Sequence, residues 1–394
     1  MARPLALDGI RVLDFTQMML GPYATQFLGD LGADVIKVER PVHGEWERGL
    51  EFMGQLVAGD SPAFLAMNRN KRSITVDLKS EAGRDALLRL GETCDVVVEN
   101  FRPGVMERLG LGYEDLRARR ADVVYASGSG WGQRTRFARE NRPGQDLLIQ
   151  AMSGLAYNAG RRDDPPIVAG SSICDATTAL TLAIGILAAL VARERQGIGQ
   201  RVEVDLFSTA MSVQCQEISA IVNLGVDAVR SETGIAQPWL SAPFGIYRTV
   251  DGWLALSMAS LEQLAPLVGD PGLAEVDAWA DRDVVKQRLD ALTPRRTTQA
   301  WLDLLTPAGI WSARVRTTKE AVDELRADGS ELVCTVDHPR AGPIELIGCP
   351  ITLSETPWSL RLVPPLVGEH TDEVFREVLD PHELDALRTE GVLA

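Results

Sequence analysis

The sequence predicts an α/β protein with an open, largely parallel sheet and a smaller second domain. Three observations predict this class. Short apolar runs alternate with helical stretches over residues 10–207, the pattern changes to a hairpin and short helices from Phe244, and strand-like runs return after residue 330. Alternating strands and helices favour a parallel sheet whose functional loops lie at the carboxyl ends of the strands.

The elements of the first part follow in order. Its predicted strands are short runs rich in Val and Ile, at residues 10–15, 33–39, 72–78, 94–100, 122–130 and 201–207. Gly21-Pro22 opens a helix through about Leu31, because Pro suits the first helical turn, and Gly32 ends it. A second helix is predicted at residues 80–92.

A long apolar helix is predicted over residues 176–195. Its first 17 residues carry no charge, which is the lower limit for crossing a bilayer. The run contains three threonines and a glycine, begins after Asp175 and ends at Arg193, so a buried core helix is the favoured interpretation.

The domain boundaries are placed where the pattern changes. Residues 1–227 form the large domain and residues 228–325 the small one, in which residues 244–258 predict a hairpin turned at Asp251-Gly252. Residues 326–394 form a C-terminal segment that returns to the large domain.

Charge and composition exclude several classes of function. The formal net charge is −15 and the isoelectric point is about 4.9, which argues against binding to nucleic acid or to anionic membranes. The five cysteines are scattered and the four histidines lack metal-ligand spacing, so we expect no disulfide framework and no metal site. The start, MARPLALDGIRVLDF, lacks signal-peptide features, which favours a cytoplasmic protein.

The common phosphate motifs are missing, yet basic clusters stand out. GSGWG (128–132) is not followed by the helix start of a dinucleotide site, and the sequence contains no P-loop and no G-x-S-x-G elbow. Cations cluster in NRNKR (68–72) and again at positions 79, 134, 136, 139 and 142. Together these cations favour an anionic ligand that carries phosphates.

Asp175 is the sharpest single feature of the sequence. It lies between the small-residue stretch AGSSIC (169–174) and the long apolar helix. Asp is a preferred N-cap residue, and a cap needs no catalytic role. A carboxylate at a helix N-terminus also stays ionised and is a usable nucleophile where water is kept out. The local pattern leaves both interpretations open.

Several blocks of sequence resemble the class III CoA-transferases, the CaiB/BaiF family of formyl-CoA and carnitinyl-CoA transferases. These blocks cover residues 7–207 in the family's order and include LDGIRVLDFTQMMLGPYATQFLGDLGADVIKVERP, NRNKRSITVDLK, DVVVENFRPGVMERLG, RPGQDLLIQAMSGL and ILAALVARERQGIGQRVEVDLF. The resemblance implies a Rossmann-like large domain, a smaller α+β second domain and an interlocked homodimer in which each chain threads the other.

The resemblance also implies the site. The family's catalytic aspartate falls on Asp175. Its CoA-binding positions fall on Met18, Met19, Leu20, Arg40, Val76, Lys79, Asn100, Phe101, Arg102, Arg108 and, in a loosely aligned loop, Arg142. The implied reaction moves CoA from an acyl-CoA to a carboxylic acid through an acyl-aspartyl anhydride and an aspartyl-CoA thioester. CoA thioester is a substrate here, and no tightly bound cofactor is expected.

The sequence differs from the formyl-CoA transferase pattern in two places, and two alternative functions are left open. The formyl-CoA transferase type has Gln at the position of Met19, and a glycine-rich loop where this chain reads SMASLEQ (257–263). The first rival is an α-methylacyl-CoA racemase or epimerase, whose catalytic His is replaced here by Gln145, a side chain that cannot accept a proton. The second is a noncatalytic partner subunit of a heteromeric CoA-transferase.

Overall fold

Six parallel strands form the central sheet of the computed structural model, which describes residues 4–394. The strands are β1 Arg11–Asp14, β2 Asp34–Glu39, β3 Lys71–Thr75, β4 Val96–Glu99, β5 Val124–Ser129 and β6 Arg201–Asp205. Their order is β3-β2-β1-β4-β5-β6, and every neighbouring pair is parallel. This is the order of a Rossmann sheet, so the predicted Rossmann-like α/β class is confirmed.

Strands β1, β2, β4 and β5 are almost fully buried, which explains the Val-rich runs of β2 and β4, whereas the edge strand β6 is partly exposed. All four residues of β4 are buried, as are the last five of β2. One core cluster extends from Leu13 and Ile36 in the sheet to Val374 and Phe375 near the C-terminus. The two halves of the sheet meet between β1 and β4, where such folds form a ligand-binding crevice.

Helices connect the strands along the part of the chain that contains the sheet. They are α1 Leu20–Asp30, α2 Pro62–Met67, α3 Glu81–Glu92, α4 Val105–Arg108, α5 Tyr113–Arg119, α6 Arg136–Arg139, α7 Asp146–Met152, α8 Ile173–Gln196 and α9 Leu206–Val213. The predicted opening of α1 at Gly21-Pro22 is confirmed. A Cβ on Gly21 would lie 2.3 Å from the Cβ of Thr16, so this helix start requires glycine.

Helix α8 is the long apolar helix that the sequence predicts. Among residues 4–394 it alone is long and apolar enough to cross a membrane, and 44% of its most apolar window is buried. It packs against α1, β5 and β6. These contacts agree with the predicted core helix.

The chain divides into two compact units. The first unit contains residues 1–149, 172–210 and 329–394, of which residues 1–3 lie outside the described part, and the second contains residues 150–171 and 211–328. The predicted boundaries at 227 and 325 differ from this division. Residues 150–171 belong with the second unit because the Arg162 amide donates to the Ser231 carbonyl at 2.8 Å and Arg230 donates to the Ala159 carbonyl at 3.0 Å.

The second unit contains a three-stranded antiparallel sheet. Its elements are α10 Cys215–Leu224, β7 Gly245–Arg248, β8 Trp253–Ser257, α11 Leu261–Val268, α12 Arg282–Leu292, α13 Thr298–Leu305, β9 Trp311–Arg314 and α14 Thr318–Ala327. The strand order is β7-β8-β9. The Thr249 amide donates to the Gly252 carbonyl at 2.9 Å, which confirms the predicted hairpin. Its core includes Tyr247, Leu254 and Trp301.

The C-terminal part of the first unit supports the sheet. It contains the hairpin β10 Val333–His338 and β11 Gly342–Ile347, followed by α15 Thr371–Phe375 and α16 Pro381–Thr389. Leu393 forms an antiparallel bridge with Val76, just beyond β3. The end of the chain therefore lies against the edge of the large sheet.

Candidate active site

Asp175 is a half-buried residue in the first turn of α8. The helix begins at Ile173, three residues earlier than the sequence predicts, and its N-cap position is Ser172, so the interpretation of Asp175 as the N-cap is wrong. The cap comes from elsewhere in the first unit. The Asp146 carboxylate accepts hydrogen bonds from the backbone amides of Cys174 at 2.7 Å and Asp175 at 3.0 Å. Capping therefore does not account for the carboxylate of Asp175.

The environment of Asp175 raises its pKa. Burial is the larger cause and the Asp146 carboxylate the second, and together they bring the pKa to about 7. The expectation that the helix N-terminus keeps Asp175 fully ionised is therefore wrong. Asp146 already binds the first amides of the helix and adds a negative charge beside them, so little of the helix dipole is left to stabilise a second carboxylate.

A close approach of two backbone segments places Asp146 at this helix. Gly130 follows β5, and a Cβ on Gly144 would lie 2.4 Å from the Cα of Gly130. The indole nitrogen of Trp131 donates to the Pro143 carbonyl at 3.2 Å. These contacts hold the loop before Asp146 against the carboxyl end of β5, next to the start of α8.

A cavity in the first unit, here called the β3 cavity, brings together four of the predicted CoA-binding residues. They are Arg40, which follows β2, Val76, which follows β3, and Lys79 and Phe101. Gln17 and Trp46 also line it. The cavity lies at the carboxyl ends of β1, β2 and β3, which is where sheets of this kind bind ligands.

A second cavity, here called the β5 cavity, brings together another set of predicted residues. Its lining includes Asn100, Phe101, Arg102, Arg142 and Trp131. Phe101 lines both cavities, so the two meet at the loop after β4. The crossing point between β1 and β4 is thus the centre of the predicted CoA-binding surface.

The cations of these cavities are exposed. Arg40, Lys79 and Arg102 make no ion pair with any carboxylate of residues 4–394, and their side chains are exposed to solvent. Arg142 differs, because its Nε lies 2.6 Å from a Glu140 oxygen. Unpaired cations beside an apolar wall fit a ligand with phosphate groups and an aromatic base.

The remaining predicted CoA-binding residues line neither cavity. Arg108 is an exposed residue at the end of α4, and Leu20 is a buried residue that packs on Gly128. Met18 and Met19 are half-buried in the turn before α1, where Met18 has a left-handed φ of 62°. For these four residues, as for those that line the cavities, the predicted role in CoA binding stays a prediction.

Asn100 has a role that the sequence does not reveal. Its side-chain oxygen accepts from the Gln17 amide at 2.8 Å, and its side-chain nitrogen donates to the Gln17 carbonyl at 2.7 Å. The side chain of Asn100 therefore pairs with the backbone of the loop after β1. This pairing fixes the turn that contains Met18 and lets Gln17 line the β3 cavity.

Comparison with known proteins shows the family of this chain. Residues 7–371 match the profile of CoA-transferase family III. The chain belongs to CoA-transferase family III. It is 32% identical to succinyl-CoA:glutarate CoA-transferase of Mus musculus over 98% of this chain and 90% of that protein. It is 34% identical to formyl-CoA:oxalate CoA-transferase of Streptomyces coelicolor over 98% of this chain and 99% of that protein.

The fold of this family III chain is also similar to that of a solved structure. A CaiB/BaiF family protein from Brucella suis superimposes with a TM-score of 0.82 at 29% identity, over 96% of this chain and all of that one. The resemblance stated from the sequence blocks is confirmed over nearly the whole chain.

Sequence reasoning missed several site residues of this family III chain. Asp146 caps α8 from 28 residues away, and Gln17, Trp46 and Trp131 line the cavities. Local pattern gives no signal for a cap supplied by a distant residue. A signal did exist for Trp131, because it lies two residues after the strand that ends at Ser129.

Proposed function

We propose that this protein transfers CoA from an acyl-CoA thioester to a carboxylic acid, with Asp175 as the covalent nucleophile. One observation carries the proposal: Asp175 is a half-buried carboxylate in the first turn of α8, and the capping task there belongs to Asp146. A buried carboxylate that is not needed by its own helix is a candidate for chemistry. The family membership supports the reaction class.

The reaction begins with attack by the Asp175 carboxylate on the thioester carbonyl carbon. A C–O bond forms, the C–S bond breaks, and CoA leaves as its thiolate, which gives an acyl-aspartyl anhydride. The thiolate then attacks the aspartyl carbonyl carbon. This step releases the donor acid as a carboxylate and leaves an aspartyl-CoA thioester.

The second half of the reaction repeats these steps with the acceptor. Its carboxylate attacks the aspartyl thioester and releases CoA thiolate, and the thiolate then opens the new anhydride at the acceptor carbonyl. The products are the new acyl-CoA and the free carboxylate of Asp175. The thiolate and the acceptor carboxylate attack as anions, and Asp175 attacks in its ionised form, so no general base is required, but water must be excluded.

The binding surface for CoA is proposed along the two cavities. Arg40 and Lys79 in the β3 cavity and Arg102 in the β5 cavity supply charge for the phosphates, while Phe101 supplies an apolar wall. Arg142 is expected to contribute only after it leaves Glu140. The sequence resemblance adds Met18, Met19, Leu20 and Arg108 to this surface.

The acceptor, the assembly and the location are part of the same proposal. Relatives are named for glutarate and oxalate as acceptors, and both acids carry two carboxylates, so dicarboxylic acids are the first acceptors to test. The resemblance implies an interlocked homodimer, and we infer a cytoplasmic location. Gln145 stands where the racemases have their catalytic His, which argues against that rival.

Covalent trapping tests the proposal. The protein is incubated with succinyl-CoA or formyl-CoA and then with hydroxylamine, and peptides that contain Asp175 are analysed by mass spectrometry. We expect a hydroxamate at Asp175 and CoA transfer to a dicarboxylate. The Asp175→Ala variant is expected to lose transfer by more than about 1,000-fold while it retains CoA affinity.

A matched control is Asp163→Ala, which removes an exposed carboxylate of the second unit. It is expected to transfer CoA normally. Full activity in Asp175→Ala would overturn the proposed nucleophile. Binding of CoA without any transfer by the unaltered protein would favour the noncatalytic subunit, and exchange of an α-proton without transfer would favour the racemase.

A further inference from the structure

A further cavity of the first unit lies next to the β3 cavity. It has a volume of about 560 Å³ and is here called the hairpin cavity, because Arg340, in the turn between β10 and β11, lines it. Arg40, Glu45 and Trp46 line both this cavity and the β3 cavity. The two cavities therefore share a wall, and a ligand that extends past Arg40 reaches both.

The lining of the hairpin cavity has a surplus of positive charge. It contains three guanidinium groups, those of Arg40, Arg48 and Arg340, and two carboxyl groups, those of Glu45 and Asp60. The whole chain has a formal net charge of −15, so this surplus is local. An anionic group is the ligand that such a lining favours.

Arg340 is the arginine of this lining that has donors to spare. Arg48 does not, because its buried guanidinium makes two hydrogen bonds of 2.7 Å to Glu39 and one of 3.2 Å to Asp60. The side chain of Arg340 is 45% exposed, and within residues 4–394 its guanidinium makes one ion pair, a contact of 3.3 Å with Asp60. Since a guanidinium has five N–H donors, most of those of Arg340 are left for a ligand.

The backbone on both sides of this ion pair is anchored. The ring Nδ1 of His338, a buried residue, accepts hydrogen bonds from the amides of Arg340 at 3.3 Å and Ala341 at 3.1 Å. The Asp60 amide donates to the Val57 carbonyl at 3.1 Å, and the Val57 amide donates to the Asp60 carbonyl at 2.8 Å. Arg340 is therefore held at the cavity before any ligand arrives, which lowers the cost of ordering it.

Arg40 connects the hairpin cavity with the β3 cavity. Its Nε donates to the Gly44 carbonyl at 2.7 Å, and it makes no ion pair with any carboxylate of residues 4–394. The terminal nitrogens of its guanidinium are thus left for a ligand. Because Arg40 lines both cavities, it lies where a ligand would pass from one to the other.

The position of the hairpin cavity along the sheet indicates which part of CoA fits it. Arg40 directly follows β2, which pairs with the edge strand β3, whereas among the strands α8 packs chiefly against β5 and β6. Neighbouring strands lie about 4.8 Å apart, so β2 and β5, with two strands between them, are about 14 Å apart. The thioester must reach Asp175 at the start of α8. The end of CoA that is remote from the thioester therefore fits the hairpin cavity.

The covalent structure of CoA identifies the anionic group at that end. The diphosphate joins the pantetheine arm to the ribose, and a separate phosphate on the ribose 3′ oxygen lies beyond it. We propose that the hairpin cavity binds the 3′-phosphate of CoA and that Arg340, together with Arg40, holds it. This inference rests on the proposed binding of CoA in the β3 and β5 cavities. A guanidinium presents a planar fork of donors that matches two phosphate oxygens.

The affinities for CoA and dephospho-CoA test this inference, because dephospho-CoA lacks only the 3′-phosphate. Dissociation constants for both ligands are measured by isothermal titration calorimetry. Arg340→Gln removes the charge and the fork, so Kd for CoA is expected to rise about tenfold, while Kd for dephospho-CoA stays within about twofold. Arg340→Lys keeps the charge without the fork and is expected to give an intermediate loss that is again confined to CoA.

Arg388→Gln is the matched control. Arg388 on α16 belongs to the same unit, its side chain is 48% exposed, and within residues 4–394 it makes one ion pair, at 3.1 Å with Asp372. It lines none of the three cavities named here. The substitution changes the net charge as Arg340→Gln does, so it is expected to leave both dissociation constants unchanged. Circular dichroism reports whether each variant folds.

The inference and the proposed function fail on different observations. A folded Arg340→Gln variant that loses affinity equally for both ligands, or for neither, contradicts the assignment of the 3′-phosphate to the hairpin cavity. The Asp175 hydroxamate is sought in the unaltered protein, so the proposed nucleophile survives that result. Conversely, a preference for CoA that depends on Arg340, without any covalent adduct, supports the cavity assignment and contradicts the nucleophile.

Two further outcomes are decisive. If Arg340→Gln does not fold, Arg340→Lys is compared in its place, and an unchanged preference for CoA over dephospho-CoA contradicts the inference. If the unaltered protein binds neither ligand, the proposed CoA site is wrong, and the role of Arg340 is wrong with it.

Discussion

Ionised Asp175 is expected to lower the stability of the fold. The pKa of Asp175 is raised in the folded protein to about 7 from an ordinary value of 3.8, so the folded state prefers the protonated form. Well below pH 3.8 the folded and unfolded states are both protonated and the difference vanishes. As the pH rises to 7 the unfolded chain loses its proton first, so stability declines across this range and stays lower above it.

The first prediction concerns Asp175→Asn, which removes this unfavourable charge. We expect the free energy of unfolding to rise by about 1–4 kcal/mol at pH 8, and by clearly less at pH 5. Urea unfolding at both pH values measures the difference. Asp163→Asn, at an exposed position, is the control and is expected to change stability little at either pH. An equal gain at pH 5 and pH 8 would contradict the assigned charge.

At the scale of one element, α8 shows which features of a helix can be predicted from the sequence. Its existence and apolar character follow from the uncharged run after Asp175, and its C-terminus at Gln196 lies within one residue of the predicted position. The N-terminus is different. It depends on Asp146, and the geometry that brings Asp146 there comes from the tertiary contact of Gly130 with Gly144.

The same distinction applies to the rest of the site. The strands were predictable because burial on both faces leaves an apolar run in the sequence, as in Val96–Glu99. The pairing of Asn100 with Gln17 was not, because it joins residues 83 positions apart in sequence. The burial of Glu47, which is 2% exposed, was equally hidden, because it lies in residues 41–62, where glycines and charges indicate a loop.

The second prediction concerns the cap of α8. Asp146→Ala removes the acceptor for the amides of Cys174 and Asp175, so the free energy of unfolding is expected to fall by about 1–2 kcal/mol. It also removes the nearest like charge, so the pKa of Asp175 is expected to fall, as measured by the pH dependence of hydroxamate formation. Ser80→Ala, which removes the cap of α3, is the control. It should lower stability and leave the pH dependence unchanged.

At the scale of the whole molecule, exposed apolar surface indicates a partner. On α8, Leu180 is 41% exposed, Ile184 66% and Val191 48%. On α10 in the second unit, Val222 is 69% exposed and Leu224 70%. Exposed apolar surfaces of this kind usually face another chain. The interlocked homodimer implied by the family resemblance would cover such residues.

The third prediction concerns that assembly. Two preparations with different tags are mixed in native buffer, and heterodimers are sought by mass spectrometry over several days. Interlocked chains cannot separate without unfolding, so we expect dimers in both preparations and no exchange even after dilution to nanomolar concentration. Exchange is expected after unfolding and refolding of the mixture. A monomer in solution, or rapid exchange, would contradict the interlocked arrangement.

The contact of Gly130 with Gly144 has a consequence for how the sequence can vary. Neither position can carry a side chain even when the other is glycine. A Cβ added to one of them would lie within 2.5 Å of the Cα of the other. Loss of one glycine therefore cannot be compensated by any choice at the second position. In a library of random variants, we expect both positions to tolerate almost nothing, while Gly170, which has open space around it, accepts alanine.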